Sequence, residues 1–163
     1  MKKQYSQHKT AHSAVFVGME EIVALVEEQL STGGKAEFYP RGTSMLPLIR
    51  EGRDSVILTS VTGPLKKFDL PLYKRQNGQY VLHRIVSVDK DRYTLVGDNQ
   101  FDLERGLPHD RVVAVVSHIR RGGRLISVNN PAYRLYVILL HLTRPLRRLV
   151  RRVKAKLSRI IKK

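Results

Sequence analysis

The chain has 163 residues, enough for one domain with a real core and too few to expect two. It contains no cysteine, which excludes a disulfide framework, a thiol nucleophile and thiolate metal sites, and which suits the cytoplasm. The formal net charge of +16 is unevenly spread: no acid follows Asp110, and 14 of the 30 Lys and Arg lie from Arg120 to Lys163, so a near-neutral body carries a cationic tail.

In chain order, Met1 to Ser13 reads as a loose polar segment. Lys2 and Lys3 precede the apolar piece AVFVGM, but it is short and runs into Glu20 and Glu21, so no signal peptide is expected. Ile22, Val23, Val26 and Leu30 then recur at helical spacing from Met19 to Leu30, and Gly33 and Gly34 supply a left-handed stop. The spacing predicts one amphipathic helix packed on the body, closing a first region over residues 1–34.

From 35 to 128 the period changes to two. AEFY, DSVILTSV, LPLYKR, QYVLHRIVSVD, RYTLVGD and RVVAVVSHI are short, rich in β-formers and separated by turn dipeptides. QNGQ, Gln76 to Gln79, predicts a hairpin with positive φ at both central residues. Six such strands point to a mainly β fold, a sheet coiled into a small barrel or sandwich. The last region, 129–163, opens with Pro131 at a helix start and continues as AYRLYVILLHLTR. Beyond Pro145, Leu146, Leu149, Val150, Val153, Leu157, Ile160 and Ile161 form one stripe, with Arg and Lys elsewhere. This is a basic amphipathic helix. No run approaches the roughly 20 apolar residues that span a bilayer, and Tyr136 to Leu142 is flanked by Arg134 and Arg144.

Three stretches could carry chemistry. In RGTSMLPLI, Ser44 is a hydroxyl in a bend of small residues. Gly42 would let another backbone approach, and Pro47 fits a first helical turn, from which the Ser44 and Met45 amides could aim at an oxyanion. Taken alone, Thr43 and Ser44 read more readily as a helix cap. In YVLHRIVSVD, alternation sets His83 on one face with Val81 and Ile85, and Arg84 on the other. A lone histidine there is more often a hydrogen-bonded core residue, although an imidazole titrating at about 6.5 suits a general base. In LVGDNQFDLERGL, Gly97 to Asn99 form a tight turn, and Asp98, Asp102 or Glu104 could each orient a histidine. For each acid singly, a polar loop is the plainer account.

The combination of GxSMxP, HRIV and GDN in this order on a β-rich body resembles the S24/S26-type serine peptidase superfamily, which holds the type I signal peptidases and the self-cleaving repressor proteases. The resemblance covers about Phe38 to Val116. His83 stands where most bacterial members have lysine, so the chain looks like the Ser-His branch of endoplasmic-reticulum-type signal peptidases. The resemblance implies a coiled β core, Ser44 as nucleophile, His83 as general base, Asp98 as a structural or orienting acid, and Glu104 at the third triad position, with Asp102 a rival. Gly42, Thr43, Met45 and Pro47 would border the oxyanion and substrate site. Four departures stand out. Gly42 occupies the place of a helper serine, Gly52-Arg53-Asp54 carries one inserted residue, Phe68 replaces a turn glycine, and no membrane anchor is present.

The tail suits an anionic membrane surface better than nucleic acid. Each basic residue near such lipid contributes roughly 1 kcal/mol, and a bilayer would also use the aliphatic stripe. Nucleic acid would leave that stripe idle, and the tail has no aromatic after Tyr136 to stack on bases. The expectation is therefore a serine endopeptidase that acts on a leader or precursor peptide at the inner membrane face, with no metal or organic cofactor. His8, His12, His109, His118 and His141 show no ligand spacing. Two other classes remain: a non-catalytic peptide-binding member of the same fold, and a nucleic-acid-associated regulator using its basic arm. The peptidase reading requires the fold to bring the Ser44 hydroxyl and the His83 imidazole within reach of each other.

Overall fold

The computed structural model describes residues 18–161, without the side chains of 155, 156 and 158–161. The loose segment Met1 to Ser13 and the side chains of Ile160 and Ile161 lie outside that description. Helix α1 (Met19–Ser31) forms as expected and buries Val23, Val26 and Leu30. It stops where Gly33 takes φ 76° and the Gly34 amide donates to Gln29 O at 3.2 Å, a left-handed cap.

The β body holds nine strands among the described residues, in two antiparallel sheets. The first runs in the order β1 (Ala36–Phe38), β2 (Asp54–Thr59), β8 (Val112–Arg121), β3 (Pro71–Lys74) and β4 (Tyr80–Leu82), with β9 (Arg124–Ser127) also on β8. The second is β5 (Arg84–Asp89), β6 (Arg92–Val96) and β7 (Glu104–Pro108). The long β8 is the spine, because it pairs with three strands. No pairing joins the outer strands β1 and β4 into a closed ring among the described residues.

Three local expectations change. The strand expected from Gln79 to Asp89 breaks at His83: β4 pairs with β3 in the first sheet, and β5 pairs with β6 in the second. As the chain passes between sheets, Leu82, His83, Arg84 and Ile85 are all buried. Coverage from both sides erases the alternation that had put His83 and Arg84 on different surfaces. The Gln76 to Gln79 turn is a three-residue loop, not a two-residue one. Gly78 has φ 86° and donates to Arg75 O, whereas the Arg75 amide donates to Gln79 O at 2.8 Å. Asn77 keeps negative φ, because a single left-handed residue suffices for that loop. Strand β7 had read as polar loop. ERGLP carries Gly106 at φ 77° and a proline, which an edge strand tolerates and a central one does not.

Two apolar clusters result. The larger packs α1, the Met45 to Ile49 bend, β2, β8 and Tyr133 and Val137 of α2 (Pro131–Leu142). The smaller gathers Leu65, Tyr73, Ile85, Tyr93 and Leu95. Adjacent β3 residues therefore serve different clusters, Leu72 the larger and Tyr73 the smaller. Phe68 holds φ 77°, a left-handed conformation that favours glycine. The strain of about 1–2 kcal/mol for such a residue is borne by anchors on both sides: its amide donates to Ile85 O at 2.8 Å and its carbonyl accepts from Arg84 at 3.0 Å.

Helix α2 starts at Pro131, with the Asn130 side chain accepting from the Ala132 amide at 2.9 Å. Helix α3 (Arg144–Ile161) follows directly. It turns Arg144, Arg147 and Arg151 toward the body. Arg144 donates to Gln100 O at 2.6 Å, Arg147 to Asp98 O at 3.1 Å, and the Arg151 guanidinium lies 5.6 Å from the Phe101 ring centre. Its stripe of Leu146, Leu149, Val150, Val153 and Leu157 is left exposed. No helix among the described residues is long and apolar enough to cross a membrane.

Candidate active site

Ser44 sits in the bend between β1 and β2. The first helical turn expected at Pro47 does not form. Residues 44–48 make consecutive turns around a cis Leu46–Pro47 peptide, with the Leu48 and Ile49 amides both donating to Met45 O at 3.1 and 3.0 Å. The chain must return at once to β2, and Arg50 ties the exit down through a two-point ion pair to buried Asp54 at 2.8 and 3.1 Å. The Ser44 and Met45 amides have no hydrogen-bond acceptor among the described residues, which leaves both as free donors.

The Gly97-Asp98-Asn99 turn positions this bend. The Asn99 amide donates to Ser44 O at 2.8 Å, and the Asn99 side chain donates to Thr43 O at 3.2 Å. A Cβ on Gly97 would lie 2.7 Å from Ser44 O, so only glycine allows the two loops to touch. Close approach was expected at Gly42 instead. There a Cβ would meet nothing within 4 Å, and glycine serves its φ of 89° while its amide donates to Glu51 at 3.0 Å.

His83, between β4 and β5, shares a cleft of about 310 Å³ with Ser44. Gly42 and Met45 line it too, whereas exposed Thr43 and Pro47 do not. Ser44 and His83 make no direct hydrogen bond. Such contacts commonly close only when substrate binds. On its other side, His83 Nδ1 lies 2.9 Å from Glu104 Oε1. Of the three candidate acids, Glu104 is therefore the one beside the imidazole. Asp102 is exposed and makes no such contact. Asp98 is buried and held by both arms of the Arg84 guanidinium at 2.8 Å.

Glu104 opens β7 and faces three donors. Tyr73 donates its hydroxyl to Oε2 at 2.8 Å, and Arg75 donates Nε to Oε2 at 2.8 Å while its second nitrogen pairs with Oε1. Partial burial works against the Glu104 charge, but hydrogen bonds from His83, Arg75 and Tyr73 outweigh it and hold the carboxyl well below the usual carboxylate range. Burial, reinforced by the Glu104 carboxylate, pushes the Tyr73 phenol up, so Tyr73 stays a proton donor. An ionised carboxylate can only accept, so His83 presents an Nδ1–H to Glu104. Nε2 makes no hydrogen bond among the described residues.

Tyr73, Arg75 and Asn99 were not foreseen as parts of the site. The alternation in LPLYKR does place Tyr73 and Arg75 on one face of β3 and its extension, and that is the signal that could have found them. Among the described residues no three His, Asp or Glu side chains gather as a metal site. No family model, curated protein or solved structure matches the chain.

Proposed function

We propose that the chain is a serine endopeptidase of the signal peptidase, S24/S26 type, with a coiled peptidase-like β core spanning both sheets. The observation that carries this reading is the Glu104–His83 pair at 2.9 Å beside a cleft shared with Ser44. Ser44 attacks a peptide carbonyl while His83 Nε2 takes its proton. The Ser44 and Met45 amides receive the developing oxyanion. His83 then protonates the leaving amine, and water hydrolyses the acyl-enzyme by the reverse proton path. Glu104 stabilises the imidazolium formed in between, and Tyr73 and Arg75 keep Glu104 ionised and oriented. Asp98 is structural, since Arg84 occupies both of its oxygens.

The substrate is a leader or precursor peptide presented at an anionic membrane surface. The exposed stripe of α3 supports this, together with Leu135, Leu139 and Leu142 of α2, since these apolar side chains stay exposed among the described residues. Ser44→Ala should abolish turnover of a peptide library while leaving thermal unfolding unchanged. Undiminished cleavage by that variant would sink the assignment.

A further inference from the structure

Next to the Ser44–His83 cleft lies a trough of about 620 Å³ whose lining includes Arg148, Arg151 and Arg152 of α3 together with Arg75, Gln100 and Glu104. Arg75 and Gln100 line the cleft as well, so the two hollows adjoin. Glu104 is engaged by Arg75, His83 and Tyr73, which leaves Asp102 as the one other carboxylate on the trough wall. Among the described residues, Arg148, Arg151 and Arg152 have no carboxylate within 4.0 Å. Three like charges on one helical face repel one another until an anion arrives.

We infer that this trough binds an acidic segment of the peptide substrate, adjoining the scissile bond held in the cleft; the inference rests on the peptidase reading of Ser44. A guanidinium offers a planar fork that matches a carboxylate at two points. Glutamates or aspartates flanking the cut would therefore find donors already aimed into their path. A peptide is favoured over lipid headgroups because the trough adjoins the cleft and its other wall is Gln100 to Glu104, although Arg148 and Arg152 also border an apolar hollow with Ile138, Leu142 and Leu149.

The test combines Arg148→Gln, Arg151→Gln and Arg152→Gln in the full chain, glutamine being chosen because it preserves helix propensity. A control removes the same charge elsewhere through Arg111→Gln, Arg124→Gln and Lys90→Gln, all exposed and none lining the trough. Binding of fluorescein-labelled hexaglutamate and hexaglutamine is read by anisotropy, in a Ser44→Ala background. Hexaglutamate should bind more tightly than hexaglutamine. The trough variant should lose about tenfold in affinity, and the control less than about threefold at physiological salt, where distant charges are screened. Equal loss in both variants, no loss in the trough variant, or equal binding of the two peptides would overturn the site. So would a trough variant that fails to sediment with phosphatidylserine vesicles yet keeps hexaglutamate, because the arginines would then serve lipid. With Ser44 restored, acidic residues should be enriched beside the cut in a digested peptide library and lost from it in the trough variant. If the wild type cuts no peptide while hexaglutamate binding still follows the trough arginines, the anion site stands and the peptidase reading falls.

Discussion

Two carboxylates flank the serine bend and are put to opposite uses. Asp98 is buried with its ion-pair partner Arg84, and the pair is locked further by Arg84 bonds to Phe68 O and to the Tyr133 hydroxyl, both at 3.0 Å. Every strong interaction of that pair points inward, joining β5, β6 and α2. Glu104 is half-buried on an edge strand, and one of its partners is an imidazole whose other nitrogen makes no hydrogen bond among the described residues. A carboxylate closed into a buried guanidinium pair fixes structure, whereas one that also meets an imidazole with an unbonded nitrogen leaves that ring open to a further partner. The contrast lies in what the partner can still do.

Breaking the open pair should have the largest effect. Glu104→Gln removes the anion that the proposed mechanism places beside the imidazolium and should lower peptide turnover by about 10³–10⁴-fold, the scale on which a triad acid acts. Circular dichroism should show the fold retained. Asp102→Asn should leave turnover unchanged, and a comparable loss there would transfer the orienting role to Asp102. Breaking the closed pair comes next. Asp98→Asn strands the Arg84 charge in the core and should cost about 3–5 kcal/mol in urea unfolding. Replacing both members, Arg84→Met with Asp98→Leu, should recover much of that loss, which would establish a structural pair.

The pH dependence of stability follows from the same two acids. Burial opposes the Asp98 charge, but the Arg84 guanidinium outweighs it and brings the carboxyl down to about 2, from an ordinary value of 3.8. Glu104 is lowered as well. A depressed pKa contributes stability that is complete above the unfolded value and is lost as pH falls through the folded one. Stability should therefore rise with pH between about 2 and 4 on account of Asp98. Urea unfolding across that window should show the slope, and a flat profile would contradict the pairing. The smallest effect belongs to Tyr73→Phe. It deletes one hydrogen bond to Glu104 and should cost about 0.5–1.5 kcal/mol, with a few-fold loss of turnover in the same peptide assay.

Local patterning determined much of this molecule. The period-3.6 stripe of α1 and its glycine stop, the β-rich runs of β2, β3, β6 and β8 between their turns, the Pro131 start of α2 and the two-faced tail are all legible in the chain, because each is set by local composition, by the one-sided burial of a helix or by the backbone freedom of a few residues. The order of Ser44, His83 and the acids was legible too. Tertiary structure alone decided that the chain breaks at His83, that Glu104 and not Asp98 or Asp102 meets the imidazole, that Gly97 is the glycine of close approach, and that α3 turns Arg144, Arg147 and Arg151 inward. Each of these depends on which surface a distant segment covers. Periodicity records that a residue is covered, but the covering partner is chosen only when two sheets and a helix close on one another.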